Sequence, residues 1–224
     1  MRIARALAIA AVAALSLAAG KANWTATVNV APGGQHTLGN PAAKVKLTEY
    51  VSYTCPHCAS FQRTADAPMR LAYVMPGKLS VSVNHFVRDP VDLTVAMLTH
   101  CGDAKSFFRR HHDFMATQDK WLSRMAGTTE AQRQRWRNKD VPTAMRAIAS
   151  DFGFYEMMAR YGTTRAGVDR CLAQTAKADQ LIAQTQAAEK AGVEGTPSFA
   201  LNGIVLAGTH NWETLNPQIA ARVE

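Results

Sequence analysis

The chain has 224 residues, 47% of them hydrophobic, and a formal net charge of +8 at pH 7. About 200 residues beyond the N-terminal segment are enough for one domain to bury a core without covalent staples. No internal repeat or low-complexity tract is present, and after the first 20 residues no apolar stretch approaches the length of a membrane-spanning helix.

The N-terminal segment, MRIARALAIAAVAALSLAAG, has the layout of a secretory signal. Arg2 and Arg5 form a basic start, the apolar run after them is too short to span a membrane, and small residues offer cleavage sites near Gly20 or Ala22. We therefore expect residues 1–22 to be a cleaved signal peptide and the protein to be periplasmic. A retained N-terminal membrane anchor is the alternative. We expect no nucleic-acid partner for an exported protein.

The first strand is predicted by KVKLTEYVSY, residues 44–53. Alternate residues there are apolar except Glu49, a pattern typical of a strand with one buried face. Residues 58–75 then predict a helix, kinked or restarted at Pro68, and residues 78–86 predict a second strand. A strand–helix–strand unit of this kind normally pairs its strands in parallel.

The middle of the chain is predicted to be helical, because apolar residues recur there at spacings of three and four. Near the end, SFAL and IVLA flank Asn202 and Gly203, a strong hairpin signal, and a last helix follows at about residues 212–223.

The order of these elements is that of an α/β thioredoxin fold. A helical insertion separates its strand–helix–strand half from its C-terminal hairpin–helix half. We assign residues 23–43 to an N-terminal extension, residues 44–90 and 176–224 to the thioredoxin-like domain, and residues 91–175 to the helical insertion.

Two of the four cysteines, Cys55 and Cys58, lie three residues apart with Pro56 and His57 between them. Pro56 suits the first position of a helix, so Cys58 lies about one turn on, close enough to Cys55 for a reversible disulfide. The helix N-terminus stabilises a thiolate at Cys55, and His57 adds a donor or a positive charge beside it. Both effects favour the reduced pair and make its disulfide an oxidant.

Two other interpretations of the cysteine pair remain open. Half of a structural zinc site would need two more ligands, and no second Cys/His pair stands at suitable spacing. A purely structural disulfide would close a very short loop, stabilise little and have no use for His57. The spacing of His100, His111 and His112 does not suit a metal site either, so no metal is predicted.

The CPHC motif, the EYVSYTCPHC that contains it, and GVEGTPSF near the end resemble the DsbA family of exported thiol-disulfide oxidoreductases. The resemblance runs from about Lys44 to the last helix. It implies that Cys55 is the nucleophile and Cys58 its buried resolving partner, with no cofactor beyond their redox-active disulfide. It also implies a monomer that acts on unfolded exported polypeptides and is reoxidised by a membrane quinone-linked partner of the DsbB kind.

Glu49 is a carboxylate on the apolar face of the first strand, six residues before Cys55. If it is buried without a cationic partner, its pKa is raised and it can exchange a proton with Cys58. The resemblance supports this role, since the family carries an acidic residue at this place. A solvated Glu49 is the alternative.

Thr196 and Pro197, with Gly195 before them, precede the hairpin strand. The resemblance implies that Pro197 is a cis-proline facing the cysteines and that the adjacent backbone pairs with an extended substrate. A trans turn proline is the alternative. Thr196 stands where the strongest oxidases usually have valine, and its hydroxyl could bond a cysteine sulfur and moderate the potential.

Cys101 and Cys171 both fall on predicted helices of the insertion. Export and the even cysteine count favour a structural disulfide between them, which would close a loop of about 70 residues and stabilise the fold by about 4 kcal/mol. Two buried free thiols are the alternative.

The sequence thus predicts an exported enzyme that donates the Cys55–Cys58 disulfide to newly exported proteins. A disulfide isomerase or reductant is a second possibility, although isomerases of this group usually carry an N-terminal dimerisation domain and only residues 23–43 precede the first core strand. A third is a non-catalytic peptide-binding chaperone that uses the same groove; the intact cysteine pair argues against it.

Overall fold

The computed structural model describes residues 22–224, so the predicted signal peptide lies almost wholly outside the described residues. Within that range the chain forms a sheet with strand order β1-β2-β4-β3-β5-β6. The strands are β1 (Val28–Val30), β2 (His36–Gly39), β3 (Val45–Val51), β4 (Leu79–His85), β5 (Ser198–Leu201) and β6 (Ile204–Val205). β3 and β4 pair in parallel, as predicted, and the other neighbouring strands are antiparallel.

The helices lie between and after the strands along the chain, in the predicted order. They are α1 (Pro56–Met69), α2 (Pro90–Thr99), α3 (Phe107–Ala116), α4 (Gln118–Leu122), α5 (Glu130–Trp136), α6 (Val141–Asp151), α7 (Phe154–Ala159), α8 (Arg165–Leu172), α9 (Thr175–Lys190) and α10 (Trp212–Val223). Between residues 22 and 224 no helix is both long and apolar enough to cross a membrane. The α/β thioredoxin fold with a helical insertion is confirmed.

Strand β3 lies in the interior of the sheet, between β4 and β5. Its alternating pattern places one set of side chains in the main core, which also takes in α1 and the helices of the insertion. On the other face, Tyr50 packs with Ala188 and Val193 in a second, smaller cluster. Because the sheet is covered on both sides, a side chain at the centre of β3 is removed from water.

Helix α1 differs from its predicted course at Pro68. The helix runs through this exposed proline to Met69, and the irregularity follows as a π-helical turn at Arg70–Val74. There the Met75 N–H donates to the Arg70 carbonyl, five residues back, at 2.8 Å. A proline lacks the N–H of a regular helical hydrogen bond. Here the helix does not restart at Pro68; its hydrogen bonds change to the wider spacing of a π-helical turn shortly after it.

The N-terminal extension contributes two strands that the sequence did not predict. β1 and β2 form a hairpin whose turn is closed by the Gly34 N–H donating to the Ala31 carbonyl at 2.8 Å. Gly34 has φ +81°, a conformation that favours glycine. The C-terminal hairpin forms as predicted, with positive φ at both Asn202 and Gly203.

Candidate active site

Cys55 caps the N-terminus of α1, and Pro56 occupies the first helical turn. The structure holds Cys55 and Cys58 as two thiols, with exposed fractions of 2% and 0%. The sharp change from strand to helix therefore places both sulfurs at the mouth of a helix, where free N–H groups can stabilise negative charge.

The two thiols have opposite acidities. A hydrogen bond from the Cys58 thiol contributes most to lowering the pKa of Cys55, which falls to about 5. The Thr196 side chain and the backbone N–H groups of Cys58 and His57 act in the same direction, against burial. For Cys58, burial raises the pKa well above its usual range, and the hydrogen bond and negative charge at Cys55 raise it further. At neutral pH the pair is therefore a thiolate at Cys55 and a thiol at Cys58.

His57 lies between the cysteines with its side chain exposed. Its contribution to the lowered pKa of Cys55 comes from its backbone N–H. Any residue except proline would supply that donor. The sequence-based role of the imidazole as a donor or a positive charge thus stays a prediction.

The Thr196–Pro197 peptide bond is cis and brings Thr196 against the active cysteine. The Cys55 thiol donates to the Thr196 carbonyl oxygen at 3.1 Å. The Thr196 hydroxyl is buried and has no hydrogen-bond partner among the described residues. Gly195 accepts a hydrogen bond from the Ser198 hydroxyl at 2.8 Å, which fixes the approach to the cis bond.

Glu49 is buried, with 2% of its surface exposed. In the β3 register it lies between Val83 of β4 and Phe199 of β5, and its Oε1 has no hydrogen-bond partner among the described residues. Burial, reinforced by the negative charge of Asp66, raises its pKa to about 8. The charge of Glu49 in turn contributes to the raised pKa of Cys58. Glu49 is thus a protonated acid at neutral pH, coupled electrostatically to the buried thiol.

Two aspartates that the sequence analysis did not single out hold the segment before Cys55. Asp92 of α2 accepts hydrogen bonds from the Ser52 hydroxyl at 2.6 Å and the Tyr53 N–H at 2.7 Å. Asp89 accepts from the Thr54 hydroxyl at 2.6 Å. Asp89 could have been noticed as a helix N-cap before a proline. Nothing in the sequence pattern marks Asp92, whose partners lie about 40 residues away.

Gln118 of α4 is a further positioning residue that the sequence analysis missed. Its buried side-chain amide donates to the carbonyl oxygens of Tyr53 at 2.7 Å and Cys55 at 2.9 Å. On the cis-proline side, His210 Nδ1 lies 2.8 Å from the Pro197 carbonyl oxygen. The helical insertion and the C-terminal segment therefore both fix backbone at the reactive pair.

The second cysteine pair, Cys101 and Cys171, is joined by a disulfide across 70 residues of sequence, with Cα atoms 5.7 Å apart. It ties the end of α2 to α8 within the insertion. The nearby histidines have protein partners: His100 Nε2 lies 2.8 Å from His85 Nε2, and His111 Nδ1 lies 2.8 Å from the Tyr53 hydroxyl. Between residues 22 and 224 no group of three or more His, Cys, Asp or Glu side chains is arranged to hold a metal ion.

Comparison with known proteins agrees with this geometry. A family model described as Thioredoxin matches residues 31–221. A curated relative from Rickettsia typhi, whose provisional name is protein-disulfide oxidoreductase, is 31% identical over 169 residues, which make up 75% of this chain and 54% of the relative. A similarly named protein from Rickettsia bellii is 30% identical over 75% of this chain and 56% of its own length. The chain thus spans about half the length of these relatives.

Two solved structures are similar along most of their length. The crystal structure of protein-disulfide isomerase from Novosphingobium aromaticivorans superposes with a TM-score of 0.81 at 50% sequence identity, covering 85% of this chain and 97% of that one. Wolbachia pipientis alpha-DsbA1 has a TM-score of 0.66 at 20% identity, covering 84% of this chain and 89% of that one. At 20% identity, the comparison with Wolbachia pipientis alpha-DsbA1 shows similarity of fold only.

Proposed function

Because the chain belongs to the thioredoxin family whose model it matches over residues 31–221, we propose that it is a protein thiol-disulfide oxidoreductase that donates its Cys55–Cys58 disulfide to client polypeptides. The observation that carries this proposal is the opposite shift of the two thiol pKa values, lowered to about 5 at Cys55 and raised at Cys58. A structural disulfide or a zinc ligand pair would gain nothing from such a difference.

The direction of electron flow follows from the thiolate. Only the reduced state contains a Cys55 thiolate, so groups that stabilise it favour reduction of the pair and make the disulfide more oxidising. A pKa of about 5 lies two units below pH 7, which corresponds to about 3 kcal/mol, or about 60 mV, relative to a thiol that remains protonated. A shift of this size favours transfer of the disulfide from this protein to its client.

The reaction consists of two exchanges. A client thiolate attacks the Cys55 sulfur, a client–Cys55 disulfide forms, and the Cys55–Cys58 bond breaks as Cys58 leaves with the electron pair and is protonated by Glu49. A second client thiolate then attacks the client sulfur of the mixed disulfide, and Cys55 leaves as the thiolate. The low pKa of Cys55 makes it the better leaving group in this second step. The client gains one disulfide and the protein gains two electrons; the proton on Cys58 comes from Glu49, which regains one from solvent.

Clients are extended polypeptides in this proposal. The Thr196 carbonyl oxygen lies beside the Cys55 sulfur, two residues before β5, so main-chain pairing there would place a client cysteine at the reactive sulfur. We place the clients among newly exported proteins in the periplasm, on the strength of the signal-like residues 1–22. The protein acts there as a monomer, and a membrane quinone-linked protein of the DsbB kind reoxidises it.

A second candidate function is disulfide isomerisation. The observation in its favour is the 50% sequence identity between this chain and the Novosphingobium aromaticivorans protein, which is named a protein-disulfide isomerase. An isomerase acts through the reduced Cys55 thiolate, attacks an incorrect client disulfide and is released when the client rearranges. The same residues serve both functions, and the redox potential decides between them.

Incubation of the oxidised protein with reduced, unfolded ribonuclease A tests the proposal. We expect loss of client thiols at about one disulfide per molecule of protein, since each molecule carries one transferable disulfide. The double variant Cys55→Ser, Cys58→Ser is the matched control and should leave the client reduced. If the wild-type protein left reduced ribonuclease unchanged but restored activity to scrambled ribonuclease, isomerisation would replace oxidation as the function.

A further inference from the structure

A small cavity of about 10 Å³ lies inside the protein beside Glu49. This volume suits about one water molecule, which needs two to four polar partners. Glu49 Oε1 is one such partner, since it is buried and bonds to none of the described residues. Gln62, Asp66 and His111 also line the cavity. The cavity therefore meets the requirements of a hydration site in contact with the buried carboxyl.

The cavity adjoins a larger groove of about 570 Å³ on the protein surface. Four residues line both spaces, namely Leu38, Asp66, Arg70 and Phe108. Asp66 is the carboxylate among them, and 18% of its side chain is exposed. It contacts Arg70 and His112, with Oδ1 2.7 Å from Arg70 Nε and Oδ2 3.6 Å from His112 Nδ1. Asp66 is thus a titratable group in the wall between the cavity and the solvent.

At the cysteine end of the site, the buried groups have no comparable route for proton exchange with solvent. Cys58 is completely buried, and a client paired at Thr196 would cover the Cys55 side as well. Asp66 lies eleven residues beyond Cys55 on the same helix, about 16 Å along its axis at 1.5 Å per residue. A proton that passes Asp66 would therefore reach solvent away from a bound client.

We propose that Asp66 is a proton-transfer residue through which Glu49 exchanges its proton with solvent by way of the internal cavity. When Cys58 leaves as a thiolate, Glu49 gives it a proton and becomes a carboxylate, and a proton from solvent then passes from Asp66 through a cavity water to Glu49. When Cys58 must attack a mixed disulfide at Cys55, its proton moves along the same groups in the opposite direction. The inference rests on the proposed thiol-disulfide exchange but not on its direction.

The charges around Glu49 are compatible with this route. The titratable and charged groups that face it are Tyr53 in the turn after β3, Cys58 and Asp66 on α1, Arg70 on the turn after α1, and His111 on α3. Burial lowers the pKa of His111 to about 3 and raises that of Tyr53, so neither carries charge near neutral pH. Asp66 and Arg70 pair with each other. Glu49 and Cys58 are then the groups that change protonation during the reaction.

The test follows the step in which Cys58 resolves a Cys55–glutathione mixed disulfide. The mixed disulfide is formed with excess oxidised glutathione at low pH, the pH is then raised to between 6 and 8, and acid-quenched samples are analysed by mass. We expect Asp66→Asn to slow resolution about tenfold, the lower end of the range for a positioned proton-transfer group. The equilibrium constant against glutathione should change much less, because a relay alters the rate and not the end states.

Double variants separate a relay from a structural effect. In a Glu49→Gln background the relay has no acceptor, so adding Asp66→Asn should change the resolution rate less than about twofold. The matched control Arg70→Gln removes the ion pair but keeps the Asp66 carboxylate, and it should also stay within about twofold of wild type.

Three results would overturn the inference. Asp66→Asn could resolve at the wild-type rate, it could cause the same loss with and without Glu49, or Arg70→Gln could be equally slow, which would make the ion pair responsible. If the wild-type protein itself failed to resolve the mixed disulfide, the proposed function would fall together with the relay. If only the Asp66 comparison failed, the proposed function would stand.

Discussion

The Cys55 sulfur lies 3.1 Å from the carbonyl oxygen of Thr196, a residue 141 positions later in the chain. This contact joins the two halves of the thioredoxin fold across the helical insertion. In the proposed reaction, it places the Thr196 backbone next to the sulfur that a client thiol attacks. The reactive sulfur thus comes from the first half of the fold, and the backbone beside it comes from the second half.

The first prediction concerns which thiol reacts. The pKa of Cys55 is about 5 and that of Cys58 is raised, so at pH 5.5 only Cys55 has a substantial thiolate fraction. Iodoacetamide applied to the reduced protein at that pH should label Cys55 alone, as read by peptide mass mapping. Preferential labelling of Cys58 would reverse the roles assigned to the two thiols.

A second prediction concerns His57, whose backbone N–H, rather than its exposed side chain, helps lower the pKa of Cys55. His57→Ala keeps that N–H and removes only the imidazole. We expect the Cys55 pKa to rise by no more than about one unit, with a potential lower by no more than about 30 mV. Thiolate absorbance against pH gives the pKa. A return of the pKa to that of a free thiol would show that the imidazole dominates.

The third prediction is a pH dependence of stability caused by Glu49. Its pKa rises from an ordinary value of 4.5 to about 8 in the fold, so between these values the folded state holds a proton that the unfolded state has lost. Stability is therefore lost as pH rises through this window. Glu49→Gln should unfold at higher urea concentration than wild type, by up to about 3 kcal/mol at pH 7, with no difference below about pH 4.

Urea titrations at pH 4 and pH 7 make this comparison. Glu130→Gln is a suitable control for loss of a carboxylate, because the Glu130 side chain is 67% exposed and pairs only with Arg133 and Arg137 among the described residues. A constant difference between Glu49→Gln and wild type at both pH values would show that the substitution acts through packing and not through the proton.

A fourth prediction separates the Cys101–Cys171 disulfide from the redox chemistry. The bond closes a 70-residue loop, so the variant Cys101→Ser, Cys171→Ser should lose about 2 to 4 kcal/mol of unfolding free energy. Its Cys55 pKa and exchange rates should match wild type. A large change in the potential of the Cys55–Cys58 couple would instead make the second disulfide part of the mechanism.

Much of this architecture could be predicted from the sequence, since long periodic segments and turn residues carry strong local signals. The parallel β3–β4 pair, the hairpin at Asn202 and the helical insertion are where the pattern placed them. Strands β1 and β2 were missed because segments of three and four residues have too few alternations to stand out. The DsbA-like resemblance is confirmed by the match to the family and to related structures.

The residues of the candidate site also fall into two groups, those that the sequence predicts and those that it does not. A helix start fixes Cys55, Pro56 and Cys58, so local rules were enough to place them. Asp92 and Gln118 act through hydrogen bonds to backbone groups about 40 and 65 residues away, and such contacts depend on how helices pack against the sheet. No local pattern encodes a partner at that distance.

Stabilisation of the Cys55 thiolate should make the Cys55–Cys58 disulfide an oxidant. The equilibrium constant of this couple against glutathione at pH 7, read from the ratio of reduced to oxidised protein, tests it most directly. We expect a standard potential of about −210 mV or more oxidising, roughly 60 mV above the −270 mV of thioredoxin. A potential near the roughly −270 mV of thioredoxin would contradict it, because the protein would then act as a reductant despite its acidic thiol.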